Sequence, residues 1–251
     1  FDLSLLVSLT HRLRIIESLG VDVCMVVHFT KQLAKLTAQN FAKKYLVDLL
    51  NAKEIFIGKN FHFGKNRNGN NDILRLIARR YQVRVNILKS VCYQNNIVSS
   101  SRLRVLIRDG NLLLAKKYLG RSVSVFGQVV HGDGRGRRLG FPTVNINSGP
   151  EILPPLGVYI VEVILNGKLF QGVANIGHRP SFKRKSNKII EAHIFNFNKN
   201  IYGRNIEIRF LRKIRDERKF DRPEDLSFQI EKDKKEALQY FSKIQSRKHI
   251  K

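Results

Sequence analysis

The stretch that decides the reading is Gly132-Asp133-Gly134-Arg135-Gly136-Arg137-Arg138-Leu139-Gly140-Phe141-Pro142-Thr143-Val144-Asn145. Four glycines interleave with three arginines, and a Pro-Thr-x-Asn tail follows. Glycines let the backbone turn with φ > 0 and approach a ligand closely, and successive N–H groups in such a turn form an anion nest. Arginines beside the nest add forked donors for phosphate oxygens. Thr143 and Asn145 both carry oxygens, and in an extended segment they point to the same side. Two neutral oxygens beside a phosphate nest make a seat for Mg²⁺. The competing reading is an RNA-binding or flexible Gly/Arg arm. The rigid Pro and the alternating oxygen carriers favour the ordered loop.

Downstream the pattern is β. Val123–Val125 and Val129–Val130 lead into the loop, and strands are expected over 158–165, 168–176, 189–197 and 206–211. Asn166-Gly167 between two apolar runs is a hairpin signal. Regular short strands predict a small closed barrel. A helix finishes the chain. Asp221 and Glu224 form a capping box, Pro223 lies in the first turn, and Leu226, Ile230, Ala237 and Phe241 form an apolar stripe.

Upstream, helix and strand alternate. Thr10 is expected to cap a helix through Leu19, which Gly20 stops. The apolar run Val21–Phe29 reads as a buried parallel strand. Thr37 caps a helix to Leu50, Glu54–Gly58 is a strand, and Asp72 starts a helix through Tyr81. Val83–Leu88 is a strand. Ser99–Ser101 caps a helix, Asp109-Gly110 turns, and a last helix ends at Leu119 before Gly120. This rhythm implies a parallel α/β sheet. The expected architecture is two-domain α+β: an incomplete Rossmann-like α/β domain over 1–119, then a Greek-key β-barrel with a C-terminal helix over 121–245.

The 251 residues carry a net charge of +26, with 43% hydrophobic residues. Such a charge fits nucleic acid, an anionic membrane or acidic substrates. The basic residues are scattered through every expected element, so we read composition bias, with some help in attracting polyphosphates. We expect neither a nucleic-acid nor a membrane partner. Cys24 and Cys92 sit far apart in apolar strand-like runs, and the seven histidines form no metal spacing. A reducing cytoplasmic setting is expected. The chain starts at Phe1, and its single methionine, Met25, falls inside an expected strand. We therefore expect a preceding segment.

The Gly/Arg loop running into Gly-Phe-Pro-Thr-Val-Asn resembles the nucleotide loop of riboflavin kinases, where Ala usually stands in place of Val144. Further segments resemble that family in order: Leu156-Gly157-Val158-Tyr159, Gly172 to Pro180, Glu191-Ala192-His193-Ile194-Phe195, Tyr202-Gly203 and Ile214 to Phe220. The likeness covers about residues 121–243. It implies ATP-dependent phosphorylation of riboflavin to FMN, with ADP released and Mg²⁺ as the metal partner of ATP. The acceptor is a primary hydroxyl, which needs a base and a metal-clamped phosphate. By the resemblance, Glu191 is that base. Thr143 and Asn145 are Mg²⁺ and phosphate ligands. Gly132 and Arg137, or Arg138 in its place, touch ATP, and Ile194, Asn196 and Tyr202 line the nucleotide. Arg215, Arg218 and Phe220 fall on the flavin side.

The first half resembles bacterial FMN adenylyltransferases, which are fused ahead of the kinase. Leu36 to Phe41, Gly58 to Gly64 and Val98 to Arg104 match their internal motifs, with Asn60 in a carboxylate's position. By this likeness Ser99, Ser100 and Arg104 meet ATP phosphates near a helix N-terminus. The family's opening Gly-x-Phe-Asp-Gly-Val-His-x-Gly-His turn does not occur among the 251 residues. The expectation is a chain that makes FMN and not FAD, with a vestigial adenylyltransferase site. A distant alternative is a basic RNA-binding protein. It requires aromatic platforms among the arginines, and the chain has no Trp.

Overall fold

The computed structural model describes residues 4–132, 134, 136, 139–178 and 188–248. They form two compact units, one joining residues up to 22 with those from 99 onward, the other holding 23–98.

In the first unit the strands are β5 (Val123–Val130), β6 (Val144–Asn147), β7 (Gly157–Leu165), β8 (Lys168–His178), β9 (Lys188–Ile194) and β10 (Asn205–Arg215). They close into a barrel in the order β10, β5, β6, β9, β8, β7, every pairing antiparallel. The neighbour of β6 is β9 rather than β7, which is the Greek-key step. Asn166 and Gly167 turn between β7 and β8 at φ 49° and 75°. Positive φ at both central positions is the turn whose twist suits a hairpin. The ladder starts at once, with Leu165 opposite Lys168.

β7 is apolar almost throughout because both its faces are covered. Tyr159, Val161 and Val163 are fully buried. The alternate residues Val158 and Ile160 join Val173 and Phe195 under Ala237 and Phe241 of the C-terminal helix, Pro223–Lys248. Two of the four expected stripe residues, Ala237 and Phe241, are thus in this cluster. One turn before Ala237, Asp233, almost fully buried, accepts from Arg215 Nε (3.1 and 3.0 Å) and Nη2 (2.8 Å) and from Gln229 Nε2 (2.8 Å).

The helix Leu9–Ser18 belongs to this unit. Its cap is Ser8, not Thr10: Ser8 Oγ accepts from His11 N. His11 is buried and its Nδ1 lies 3.1 and 3.2 Å from the Glu151 carboxylate oxygens. Glu151 also accepts from Ser8 N (2.7 Å) and Phe126 N (3.0 Å). His11 Nε2 is 3.3 Å from Ser124 Oγ, which accepts from Arg121. Burial works to raise the Glu151 pKa, but the hydrogen bonds from His11 and Ser8 outweigh it and hold the carboxyl below its ordinary range. The helices Ser100–Arg108 and Leu112–Leu119 start at the caps Ser99 and Asn111, and Gly120 closes the second in the left-handed region.

The second unit has two parallel strands, β1 (Glu54–Gly58) and β2 (Arg84–Leu88). Ala42, Ile57, Phe63, Leu74 and Ile77 make its core. Thr37 caps Ala38–Phe41, which continues as a π-helix through Leu49. Asn70 rather than Asp72 caps the helix Asn71–Arg80. A short hairpin joins β3 (Cys92–Tyr93) to β4 (Asn96–Ile97). The expected strand Val21–Phe29 is not formed. Val23 and Phe29 are 80% and 82% exposed, and no described strand pairs with the run. An apolar run becomes a parallel strand only beside a partner that takes its N–H and C=O groups. Cys24 accordingly lies exposed, as does Cys92.

Candidate active site

Antiparallel pairing sets the site. β6 lies between β5 and β9, and Asn145 is opposite both Val130 and Glu191. On its other side Glu191 is opposite Asn175 of β8. Directly opposed residues project to one face with Cβ atoms about 4.5–5.5 Å apart. Asn145, Glu191 and Asn175 therefore form a row. Ile190 and Ala192, on the other side of β9, are completely buried. Glu191 is half-buried. Thr143 stands one residue before the end of this ladder, at Val144 opposite Ala192. One carboxylate and two amides from three strands thus share a face.

The Gly-rich loop lies against these side chains. A Cβ at Gly132 would collide with the Asn145 amide, and one at Gly136 with the Phe141 carbonyl and, at 3.0 Å, with Thr143 Oγ1. Only glycine allows this approach at either position. Leu139 N and Phe141 N both donate to the Gly136 carbonyl, at 3.1 and 2.8 Å. Arg137 and Arg138 lie outside the described residues.

The expected nucleotide wall is divided. Ile194 is buried on the same side of β9 as Ile190 and Ala192, facing away from Glu191. Asn196 is exposed at φ 53° in the turn that follows. Tyr202 is exposed and stacks on His131, with centroids 3.8 Å apart at 22°. Its turn is tied to β5 by Gly203 N donating to the Val129 carbonyl, 2.9 Å.

The expected flavin residues meet at Phe220, whose ring centroid lies 5.8 Å from the Arg215 guanidinium carbon. Arg218 lies 4.6 Å from the Phe220 ring centroid, and both line a cleft of about 290 Å³ with Asp221, Asp225 and Phe228. Arg215 does not line that cleft; its guanidinium grips Asp233 and, through Nη1, the Asp216 carbonyl (3.1 Å). Arg104 donates to the Ser4 carbonyl at 3.1 Å, and Ser99 Oγ accepts from Arg102 N as a cap, with Ser100 exposed beside it.

Sequence reasoning missed four residues: His131, Asn175, His193 and Asp233. His193 had a signal, because it follows Glu191 by two on a strand and so shares its face. Asn175 lay inside the Gly172 to Pro180 segment, whereas Asp233 had no signal, since it meets Arg215 across 18 residues.

No described helix is long and apolar enough to cross a membrane. The riboflavin kinase family profile matches residues 119–241, and the FAD synthetase profile matches residues 2–102. The chain is 38% identical over 242 residues to the bifunctional riboflavin kinase/FMN adenylyltransferase of Buchnera aphidicola subsp. Schizaphis graminum, covering 95% of this chain and 78% of that protein. For the enzymes of the same description from Haemophilus influenzae and Bacillus subtilis, identity is 38% and 36%, covering 94% and 96% of this chain and 77% and 76% of theirs. A crystal structure described as a macrolide-efflux protein from Streptococcus pneumoniae superposes with TM-score 0.77 at 32% identity, covering 92% of this chain and 74% of that one. With the barrel, its glycine loop and both halves of the chain matched in order, the chain belongs to the bifunctional riboflavin kinase/FMN adenylyltransferase family.

Proposed function

We propose that the barrel unit transfers the γ-phosphoryl group of ATP to the ribityl 5′-hydroxyl of riboflavin, giving FMN and ADP. Glu191 takes the hydroxyl proton as the new O–P bond forms and the bond to the ADP oxygen breaks. The reading rests on one observation, the pairing of Asn145 with Glu191 across β6 and β9. In this reading the pair is a base beside a phosphate-side ligand.

Thr143 and Asn145 offer hard neutral oxygens beside a glycine cradle that a Cβ would fill, a donor set that fits Mg²⁺. They would hold the metal, which neutralises phosphate charge when bound. Gly132 and the loop N–H groups cradle the phosphates, with Arg137 or Arg138 supplying charge. Asn196 and Tyr202 border the nucleotide, and Ile194 supports that wall from the core. Arg218 and Phe220 take the flavin end, and Arg215 holds the floor of that end through Asp233. The proposed division of labour is 1–119 and 121–245.

The experiment is chromatographic analysis of riboflavin incubated with the protein and Mg-ATP. FMN is the expected product, and folded protein that forms none overturns the reading. A second activity, adenylylation of FMN, is favoured by the FAD synthetase match over 2–102. Ser99, Ser100 and Arg104 would serve it, although Arg104 is engaged with the Ser4 carbonyl. FAD formed from FMN and ATP above a no-enzyme control would establish it, and folded protein that forms none would count against it.

A further inference from the structure

The β6–β9 ladder ends at Val144 opposite Ala192, one residue short of Thr143. The backbone of Phe141, Pro142 and Thr143 lies outside any strand. Its hold on the barrel comes instead from a side chain. His193 Nδ1 is 2.8 Å from the Pro142 carbonyl oxygen. A carbonyl only accepts, so Nδ1 carries the hydrogen and donates it. The imidazole is fixed by rings on two sides: it meets Phe141 edge-on at 5.8 Å and 84°, and Phe195 at 5.7 Å and 62°. The C-terminal helix reaches the same place, with Lys234 Nζ 6.0 Å from the Phe141 ring centroid. Gly136 in turn packs on the Phe141 carbonyl and the Thr143 hydroxyl.

We propose that His193 is a positioning residue for the phosphate end of the site: its Nδ1–H replaces the missing ladder bond and sets where Thr143 stands. This rests on the reading of Thr143 and Asn145 as the Mg-ATP ligands. The role assigned to His193 runs through its polar contact with the Pro142 carbonyl. It acts through the backbone one residue before Thr143. Losing a hydrogen bond of this kind lowers affinity about fivefold to tenfold, and the loss falls on Mg-ATP rather than on riboflavin.

The test compares His193→Ala, His193→Gln and His193→Asn in the full chain. The amide nitrogen of Asn stands where Nδ1 stands, whereas that of Gln stands where Nε2 stands. His193→Asn is expected to keep KM for Mg-ATP within about twofold of wild type, while Gln and Ala raise it about fivefold to tenfold. KM for riboflavin stays unchanged in all three. Equal KM values for Mg-ATP across the set overturn the inference, as does equal impairment of Asn and Gln, which marks a packing role. If the Ala variant does not fold, the Asn and Gln pair decides alone. Wild-type protein that makes no FMN fails the functional reading instead. In that case the same three variants are compared by binding of a fluorescent ATP analogue, with the same expected order, and equal binding overturns the inference.

Discussion

The barrel unit and the 23–98 unit treat similar apolar runs in opposite ways. Gly157–Leu165 is a strand covered on both faces, by the barrel interior and by Ala237 and Phe241. The run Val21–Phe29 is as apolar and leaves Val23 and Phe29 exposed. A closed antiparallel barrel completes its backbone hydrogen bonds within one contiguous segment. A parallel strand depends on a partner reached through a crossover. Hydrophobic content alone does not distinguish these situations. The available partner does.

The largest effect is expected inside the barrel unit. Glu191→Gln keeps the side chain's shape and removes its ability to accept the hydroxyl proton. Turnover should fall by about 10²-fold or more, with riboflavin binding intact by fluorescence titration. Near-normal turnover would assign Glu191 to structure. Next comes packing. Phe241→Ala empties a buried site between helix and barrel and should cost about 3–5 kcal/mol in urea unfolding. A cost below about 1 kcal/mol would mean that the helix is not integral to this unit.

A smaller effect separates the units by pH. Glu151 has a depressed folded pKa, so the folded state binds fewer protons than the unfolded chain in the acid range. Its stabilisation is present at neutral pH, above the unfolded value of about 4.3, and disappears as pH falls through the depressed folded value. Urea midpoints measured from pH 7 downward should show this loss in wild type. It should be missing in Glu151→Gln, which itself costs roughly 2 kcal/mol at neutral pH. An identical pH slope in both proteins would place the acid sensitivity in another carboxylate. The smallest effect belongs to the open run: Phe29→Ser should change stability by less than about 0.5 kcal/mol and leave FMN formation untouched. A loss comparable to that of Phe241→Ala would show that the run is buried in solution.

Local signals carried much of the fold. Asn166-Gly167, Thr37, Ser99 and Gly120 turn or cap where their chemistry says, because each acts on its own few neighbours. Glu54–Gly58 matches its expected bounds. The caps at Ser8 and Asn70 each stand two residues before the expected Thr10 and Asp72, as competing polar side chains stood nearby. The glycine-rich loop stood out by its own composition, and its closeness to Thr143 and Asn145 follows from glycines at 132 and 136. The neighbourhood of Glu191 was not legible, since the register joining it to Asn145 and Asn175 is non-local. For Arg215, charge was visible, but Asp233, the partner that occupies it, lies 18 residues away.

The buried contact of His11 with Glu151 spans 140 residues. On a ribosome adding about 5–20 residues per second, that separation is a wait on the order of ten seconds or more. The 23–98 segment is fully synthesised well before Glu151 appears, so it can reach its own structure while the Leu9–Ser18 helix still lacks a seat. The order of folding then runs against the order of synthesis for the first twenty-odd residues. They emerge before the 23–98 segment and are fixed only after the strands that bury His11 have been translated.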